Sequence, residues 1–184
     1  MVLKGRDEEF YAKQIAVVEH HAFMRRLILS MLRGLGFHKL YAFATAEEFL
    51  ADRDVEDTEV LILDLSIAGD TALSLVARIR HGETAVDKAI PVILSASVTD
   101  RETIFDARDA GVTEICTRPM AAVNLYTKLK TSLLAPRRFV ISDAYWGPDR
   151  RRKDDPKYGG PERRRDYQFD QGLVDQLMSK AETT

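Results

Sequence analysis

Short runs of apolar residues alternate with segments of mixed polarity along the first 135 residues. The runs lie at 15–18, 40–43, 60–63, 90–94 and 114–117. The first, third and fourth are nearly continuous and rich in valine and isoleucine. Such runs are typical of strands that are covered on both faces in a parallel sheet. The pattern therefore predicts five buried strands.

The segments between the runs carry apolar residues three and four positions apart, which predicts amphipathic helices. These apolar positions fall within 23–35, 49–50, 73–79, 104–110 and 123–133. Side chains suited to helix N-caps, and glycines suited to helix ends, are Thr45, Asp70, Thr99, Gly34, Gly36, Gly82 and Gly111. Strands that alternate with helices predict an α/β fold with an open, five-stranded, doubly wound parallel sheet.

The chain of 184 residues is long enough for one domain and an extension. We assign residues 1–12 to an N-terminal segment, 13–135 to the α/β domain, 136–168 to an irregular arginine-rich extension, and 169–184 to a short amphipathic helix and tail. The single cysteine excludes an internal disulfide. No N-terminal apolar stretch resembles a signal peptide or a spanning helix, so we expect a cytoplasmic protein without membrane insertion.

Polar residues follow four of the five predicted strands. Glu19 and His20 follow the first strand, Asp64 the third, Ser95 the fourth and Arg118 the fifth. In open α/β sheets the functional crevice lies outside the carboxyl ends of the strands. We therefore expect these side chains to form one site.

The stretches that carry these residues read VVEHHAFMRRLILSMLRGLGF, LILDLS, PVILSAS and TRP. They make residues 13–135 similar to the CheY-like receiver domains of two-component signalling. The resemblance implies that Asp64 stands at the phosphoacceptor position and that Ser95 supplies the hydroxyl that contacts the phosphoryl group. It further implies that Glu19 and His20 stand where the family has a magnesium-binding acidic pair, and Arg118 where it has a lysine.

Two departures from the family pattern weaken this chemistry. Mg²⁺ prefers oxygen ligands in a near-octahedral arrangement, whereas His20 supplies a nitrogen. Arg118 keeps the positive charge of lysine but not its compact ammonium group. We therefore expect a weak magnesium site or none, at Glu19 and Asp64 if anywhere. Phosphorylation of Asp64 is expected to be weak or absent.

The extension concentrates the basic charge of the chain. Residues 137–166 contain 10 Lys and Arg against 6 Asp and Glu, whereas the whole chain contains 27 against 29. Within it, YWGPDRRR at 145–152 and YGGPERRR at 158–165 match at seven of eight positions when Asp and Glu count as equivalent. A purely electrostatic tail needs only charge, so this repeat predicts recognition of two equivalent features of a ligand, or of two ligands.

The residue types of the repeat suit a guanine nucleotide. Arginine forks bind guanine edges and phosphate, carboxylates accept hydrogen bonds from guanine, and aromatic rings stack on purines. Guanine and phosphate, each present twice, describe cyclic di-GMP. Residues 152–166 also look like the RxD-x8-RxxD signature of another cyclic di-GMP-binding family. The predicted ligand-binding residues are Tyr145, Trp146, Asp149, Arg150, Arg151, Arg152, Asp154, Tyr158, Glu162, Arg163, Arg164, Arg165 and Asp166.

A receiver domain with an arginine-rich extension resembles the Cle family, CheY-like cyclic di-GMP effectors that act on the flagellar motor. The resemblance implies a non-enzymatic protein whose input is the nucleotide, which orders the extension. It also implies recruitment to the motor and contact with the motor switch through the fourth helix, fifth strand and fifth helix. Candidate residues on that face are Arg101, Asp106, Arg108, Met120 and Tyr126.

Two other functions stay open at this point. A phosphorylatable single-domain response regulator would use Asp64 and keep the extension as a partner tether. A degenerate receiver could instead bind nucleic acid through its arginines. The six acidic residues of the extension would repel a phosphate backbone, so we expect no nucleic-acid partner. The apolar spacing within 169–181 could cap the receiver, form a homodimer or bind a partner.

Overall fold

The computed structural model describes residues 8–67, 71–97, 100–142 and 144–150. Its strands are β1 (Ile15–Val18), β2 (Leu40–Phe43), β3 (Val60–Asp64), β4 (Val92–Ala96), β5 (Glu114–Thr117), β6 (Phe139–Ser142) and β7 (Tyr145–Pro148). Its helices are α1 (Ala22–Gly34), α2 (Ala46–Leu50), α3 (Ala72–Arg80), α4 (Arg101–Asp109) and α5 (Ala122–Leu134), with a 3₁₀ turn at Val55–Asp57. The helix predicted within 169–181 lies outside the described residues.

The first five strands form one parallel sheet in the order β2-β1-β3-β4-β5. The predicted open, doubly wound sheet is thereby confirmed. Its direction of winding reverses between β1 and β3, and the crevice at such a switch point is where α/β sheets carry their sites. The register sets Asp64 beside Ser95, and Ser95 beside Cys116.

Helices cover both faces of this sheet. Helices α1 and α5 contribute to one buried cluster, and α2, α3 and α4 to the other. Side chains alternate along each strand, so Leu61 and Leu63 of β3 enter one cluster while Val60 and Ile62 enter the other. Burial on both sides explains why the central strands read as continuous apolar runs. Within the described part of the chain, no helix has the length and apolar character needed to cross a membrane.

Polar side chains cap three helices, two of them one residue later than predicted. Thr45 caps α2 as predicted. Helix α3 is capped by Thr71 and helix α4 by Asp100, each accepting a hydrogen bond from the backbone N–H three residues on. The predicted caps Asp70 and Thr99, which lie outside the described residues, are therefore wrong by one position. At the start of each of these helices, two adjacent residues could serve as the N-cap. The N-cap is the one whose side chain accepts a hydrogen bond from a free backbone N–H of the first turn.

The arginine-rich extension begins with an antiparallel hairpin of β6 and β7, where an irregular chain was predicted. The first copy of the repeat supplies β7. Gly147 in this strand lies against Gly111, because a Cβ at position 147 would come within 3.0 Å of the Gly111 Cα. Gly111 itself has a φ of 93°, which favours glycine. The glycine of the repeat therefore permits the hairpin to approach the α/β domain closely.

Aromatic contacts hold the same hairpin on the α/β domain. The Trp146 ring stacks on His81 with the ring centroids 5.2 Å apart, and Lys88 Nζ lies 5.7 Å from the Trp146 centroid. Residues 81, 88 and 111 lie in the loops that precede β4 and β5. The extension has too few aliphatic residues to fold alone, and these contacts with the α/β domain supply part of the missing apolar burial.

A buried arginine at the end of α3 ties these loops together. Arg80 has no exposed surface, and its guanidinium donates to the carbonyls of Gly111 at 2.9 Å, Lys88 at 2.6 Å and Ile90 at 2.9 Å. The Arg80 Cζ also lies 5.9 Å from the Phe139 ring centroid of the hairpin. Burial lowers the pKa of Arg80 to about 10, so the group stays charged at neutral pH. The fold therefore depends on these carbonyls to replace water around a cation.

Replacing Arg80 tests this arrangement. Arg80→Met keeps much of the volume but removes every donor, leaving three carbonyls without their partner. We expect the free energy of unfolding to fall by about 3 kcal/mol. Urea denaturation followed by far-UV circular dichroism measures the loss. The emission of Trp146, the single tryptophan, should shift to the red as the hairpin loosens.

Arg53→Met is the matched control, since the Arg53 side chain is 92% exposed. We expect it to change the unfolding free energy by less than about 0.5 kcal/mol. Equal stability of the two variants would contradict the role given to Arg80.

Candidate functional site at the carboxyl end of the sheet

The ends of neighbouring strands bring the predicted polar residues together. Glu19 follows β1, Asp64 ends β3, Ser95 lies in β4 and Arg118 follows β5. The carboxylates of Glu19 and Asp64 are only 1% exposed, whereas the Arg118 side chain is 16% exposed. The site is thus a pair of buried acids under an arginine that reaches across from β5.

The Arg118 guanidinium joins three of these strand ends. Its Nη2 donates to Glu19 Oε2 at 2.7 Å and to Asp64 Oδ1 at 2.6 Å. Its Nε donates to Ser95 Oγ at 2.9 Å. Two carboxylates held this close repel each other unless a cation lies between them. Here the cation is the guanidinium group of Arg118.

The remaining carboxylate oxygens are also engaged. His20 Nδ1 lies 2.9 Å from Asp64 Oδ2, and the backbone N–H of Ser66 donates to Asp64 Oδ1 at 3.1 Å. The backbone N–H of His21 donates to Glu19 Oε1 at 2.9 Å. Both oxygens of each acid therefore have a protein partner, and attack by Asp64 on a phosphodonor would have to compete with these hydrogen bonds.

Glu19, His20 and Asp64 lie close enough together to offer ligand atoms to one metal ion. Mg²⁺ binds oxygens at about 2.0–2.1 Å in octahedral geometry and keeps several waters. Arg118 Nη2 lies between the two carboxylates, in the space that such an ion would need, and His20 contributes a nitrogen. The residues present do not fit magnesium. Of the two departures from the family pattern, Arg118 is the stronger obstacle, because it bonds both carboxylates.

The structure describes four of the thirteen predicted nucleotide-binding residues. Tyr145, Trp146, Asp149 and Arg150 lie in or beside β7. The other nine lie outside the described residues, namely Arg151, Arg152, Asp154, Tyr158, Glu162, Arg163, Arg164, Arg165 and Asp166. The Trp146 ring packs on His81 of the receiver, so it serves as an anchor for the hairpin.

Tyr145 and Arg150 form a compact unit at the end of the hairpin. The Arg150 Cζ lies 3.8 Å from the Tyr145 ring centroid, and Tyr145 Oη donates to the Pro148 carbonyl at 2.7 Å. Burial raises the pKa of Tyr145, and Arg150 opposes part of that shift. Arg150 Nη2 also lies 3.3 Å from Asp109 Oδ1 at the end of α4. A cavity of about 160 Å³ opens beside this unit, lined by Val140, Ser142, Tyr145, Asp149 and Arg150.

Arg137 is a contact residue that the sequence did not single out. Its Nη2 donates to the Thr113 carbonyl and to Glu114 Oε1, the latter at 2.7 Å. It therefore fixes the start of the extension to the first residue of β5. A second cavity, of about 130 Å³, lies between this junction and α4; Arg108, Arg137 and Arg150 contribute to its lining. The only sequence signal for Arg137 is its place at the start of the basic segment.

The two regions lie at opposite ends of the sheet. Asp64 and Arg118 stand at the carboxyl ends of strands, whereas the hairpin contacts loops that precede β4 and β5. A ligand on the hairpin would therefore not touch Asp64.

The fold, the strand-end acids and the hydroxyl of Ser95 define a receiver domain. Residues 15–130 match the response regulator receiver domain family, and the chain belongs to that family. The hairpin lies outside the matched residues.

Chemotaxis proteins are among the relatives. The chain is 28% identical to the chemotaxis protein CheY-3 of Vibrio cholerae over 116 residues, which cover 63% of this chain and 88% of that protein. It is 27% identical to the chemotaxis protein CheY of Pseudomonas aeruginosa over 117 residues, which cover 64% of this chain and 93% of that protein. The solved structure of Vibrio cholerae CheY4 has a TM-score of 0.60 and 20% identity, covering 66% of this chain and 99% of that chain.

The engaged oxygens of Asp64 lead to a prediction about phosphorylation. We expect that incubation with Mg²⁺ and a small phosphodonor such as acetyl phosphate leaves the intact mass of the protein unchanged. The reason is that Asp64 is 1% exposed and bonded through both oxygens. Asp64→Asn is the control for modification at other residues. A Mg²⁺-dependent gain of one phosphoryl group in the wild type alone would contradict the prediction.

Proposed function

We propose that this receiver protein is a non-enzymatic cyclic di-GMP effector that signals by protein contact. The observation that carries the proposal is the duplicated YxGP(D/E)RRR motif. Cyclic di-GMP has two guanines and two phosphates related by symmetry, so a duplicated binding unit matches a duplicated ligand.

In the first copy of the repeat, the residue that anchors the hairpin differs from the residues that we propose contact the nucleotide. Trp146 packs on His81, and it is the one position at which the copies differ in chemical type, since the second copy has Gly159 there. Tyr145 and Arg150 form a stacked pair, and both are repeated, as Tyr158 and Arg163. The retained positions thus include a ring and a guanidinium, which suit a base and a phosphate.

The same contacts offer a route from the nucleotide to the receiver surface. Arg150 pairs with Asp109 at the end of α4, and the neighbouring cavity is lined by Ile104 and Arg108 of that helix. A ligand that engages Arg150 would draw it from Asp109 and so alter the surface formed by α4 and β5. Arg101, Asp106, Arg108, Met120 and Tyr126 are the candidate contact residues on the surface of α4, β5 and α5.

We propose a flagellar motor switch protein as the partner, reached by recruitment to the motor. The chemotaxis names of the Vibrio and Pseudomonas relatives support an output of this kind.

The second candidate function is phosphorylation at Asp64. Family membership and the position of Asp64 at the carboxyl end of β3 favour it. The engaged oxygens of Asp64 and the arginine between the acids disfavour it. In that case the extension is only a tether, and loss of its arginines would leave the signal intact.

Calorimetric titration of cyclic di-GMP tests the proposal. We expect Arg152→Ala/Arg163→Ala to weaken binding on the order of 100-fold, because each bidentate guanine contact is worth about 1–3 kcal/mol. Arg26→Ala/Arg33→Ala is the matched control, with the same loss of charge from exposed positions on α1. Its affinity should equal that of the wild type, as should the affinity of Asp64→Asn.

Two results would overturn the proposal. One is equal nucleotide affinity in the wild type and in Arg152→Ala/Arg163→Ala. The other is binding that GTP and single-stranded DNA compete for equally and that falls steeply with salt, which would make the extension a polyanion-binding segment.

A further inference from the structure

The cation in the receiver site is a side chain of the protein, the guanidinium of Arg118. Glu19 and Asp64 are two acids, each 1% exposed, that contact the same guanidinium nitrogen. Two buried carboxylates that are close enough to share one partner destabilise a fold unless an opposite charge compensates them. A divalent ion bridging the two acids would occupy the space now taken by Arg118 Nη2.

The guanidinium is held in place on a second side. Arg118 Nε donates to Ser95 Oγ at 2.9 Å, while Nη2 bonds both acids. A planar fork can meet three acceptors in fixed directions, which a lysine ammonium on a flexible stem does not reproduce. Arg118 thus has the charge, the position and the anchoring expected of a permanent counter-ion.

We propose that Arg118 is a built-in replacement for the divalent cation of this receiver site. The fold is then stable without metal, and Mg²⁺ does not bind between Glu19 and Asp64 while Arg118 is present. The inference is independent of cyclic di-GMP, since it rests only on Glu19, Asp64, Ser95 and Arg118. It predicts that removal of the arginine side chain creates a metal site.

Rescue of stability by metal distinguishes this role from ordinary packing. Arg118→Gln removes the charge and leaves two buried acids together. We expect its melting temperature to fall by roughly 10 °C in EDTA. Millimolar Mg²⁺ or Mn²⁺ should restore much of that loss, because an ion that binds only the folded state stabilises it. The wild type should melt at the same temperature in EDTA and in either metal.

Matched variants identify where the metal acts. Arg53→Gln removes an exposed charge and should resemble the wild type in every condition. Asp64→Asn/Arg118→Gln lacks one of the two acids and should lose the metal rescue. If Arg118→Gln fails to fold in EDTA, refolding it in Mn²⁺ tests the same rescue. Mn²⁺ binding to the folded wild type, followed by electron paramagnetic resonance, supplies a measurement that needs no variant.

Each outcome decides the inference. Millimolar stabilisation of the wild type by Mg²⁺ or Mn²⁺ that is lost in Asp64→Asn would overturn it, as would Mn²⁺ bound to the wild type but not to that variant. Failure of both metals to rescue Arg118→Gln would equally overturn it, because Arg118 would then be a packing residue only. If metal raises the melting temperature of Arg118→Gln and leaves that of the wild type unchanged, the inference is supported.

Discussion

A parallel sheet that is covered by helices on both faces leaves only its two ends for polar chemistry. In this protein both ends are used. At the carboxyl end, Glu19, Asp64, Ser95 and Arg118 converge because β1, β3, β4 and β5 are adjacent and parallel. At the amino end, the loops before β4 and β5 receive the β6–β7 hairpin. The apolar interior between the ends follows from burial on both faces, and it keeps the two polar regions apart.

One arginine makes the central contacts at each end, and the charges of the two arginines are compensated in different ways. Arg118 meets two carboxylates, so its charge is compensated by opposite charge. Arg80 meets three carbonyls and no bonded carboxylate among the described residues, so backbone dipoles take the place of its hydration. Burial lowers the pKa of Arg80, because the charged guanidinium has lost its contact with water.

The sequence predicted the sheet and the membership of the carboxyl-end site, since both depend on local patterns. Apolar runs identify buried strands, and residues at the ends of adjacent parallel strands must be neighbours. It did not predict the hairpin, because β7 is stabilised by Gly111 and His81, which are distant in sequence. Arg80 resembled an ordinary basic residue at the end of a helix. The position of Arg118 between two acids depends on the direction of its side chain. The spacing of residues along the sequence does not determine that direction.

Strand β5 connects the two ends physically. Its first residue, Glu114, bonds Arg137 at the base of the hairpin, and Arg118 follows its last residue. Asp64 is bonded to Arg118, and this contact would have to break before a phosphoryl group could be accepted there. Arg137 and Arg150, which flank the hairpin, bond Glu114 of β5 and Asp109 of α4, and they connect the extension to the receiver surface. On the proposed function, the extension has taken over the task that phosphorylation performs at Asp64 in a receiver that uses it.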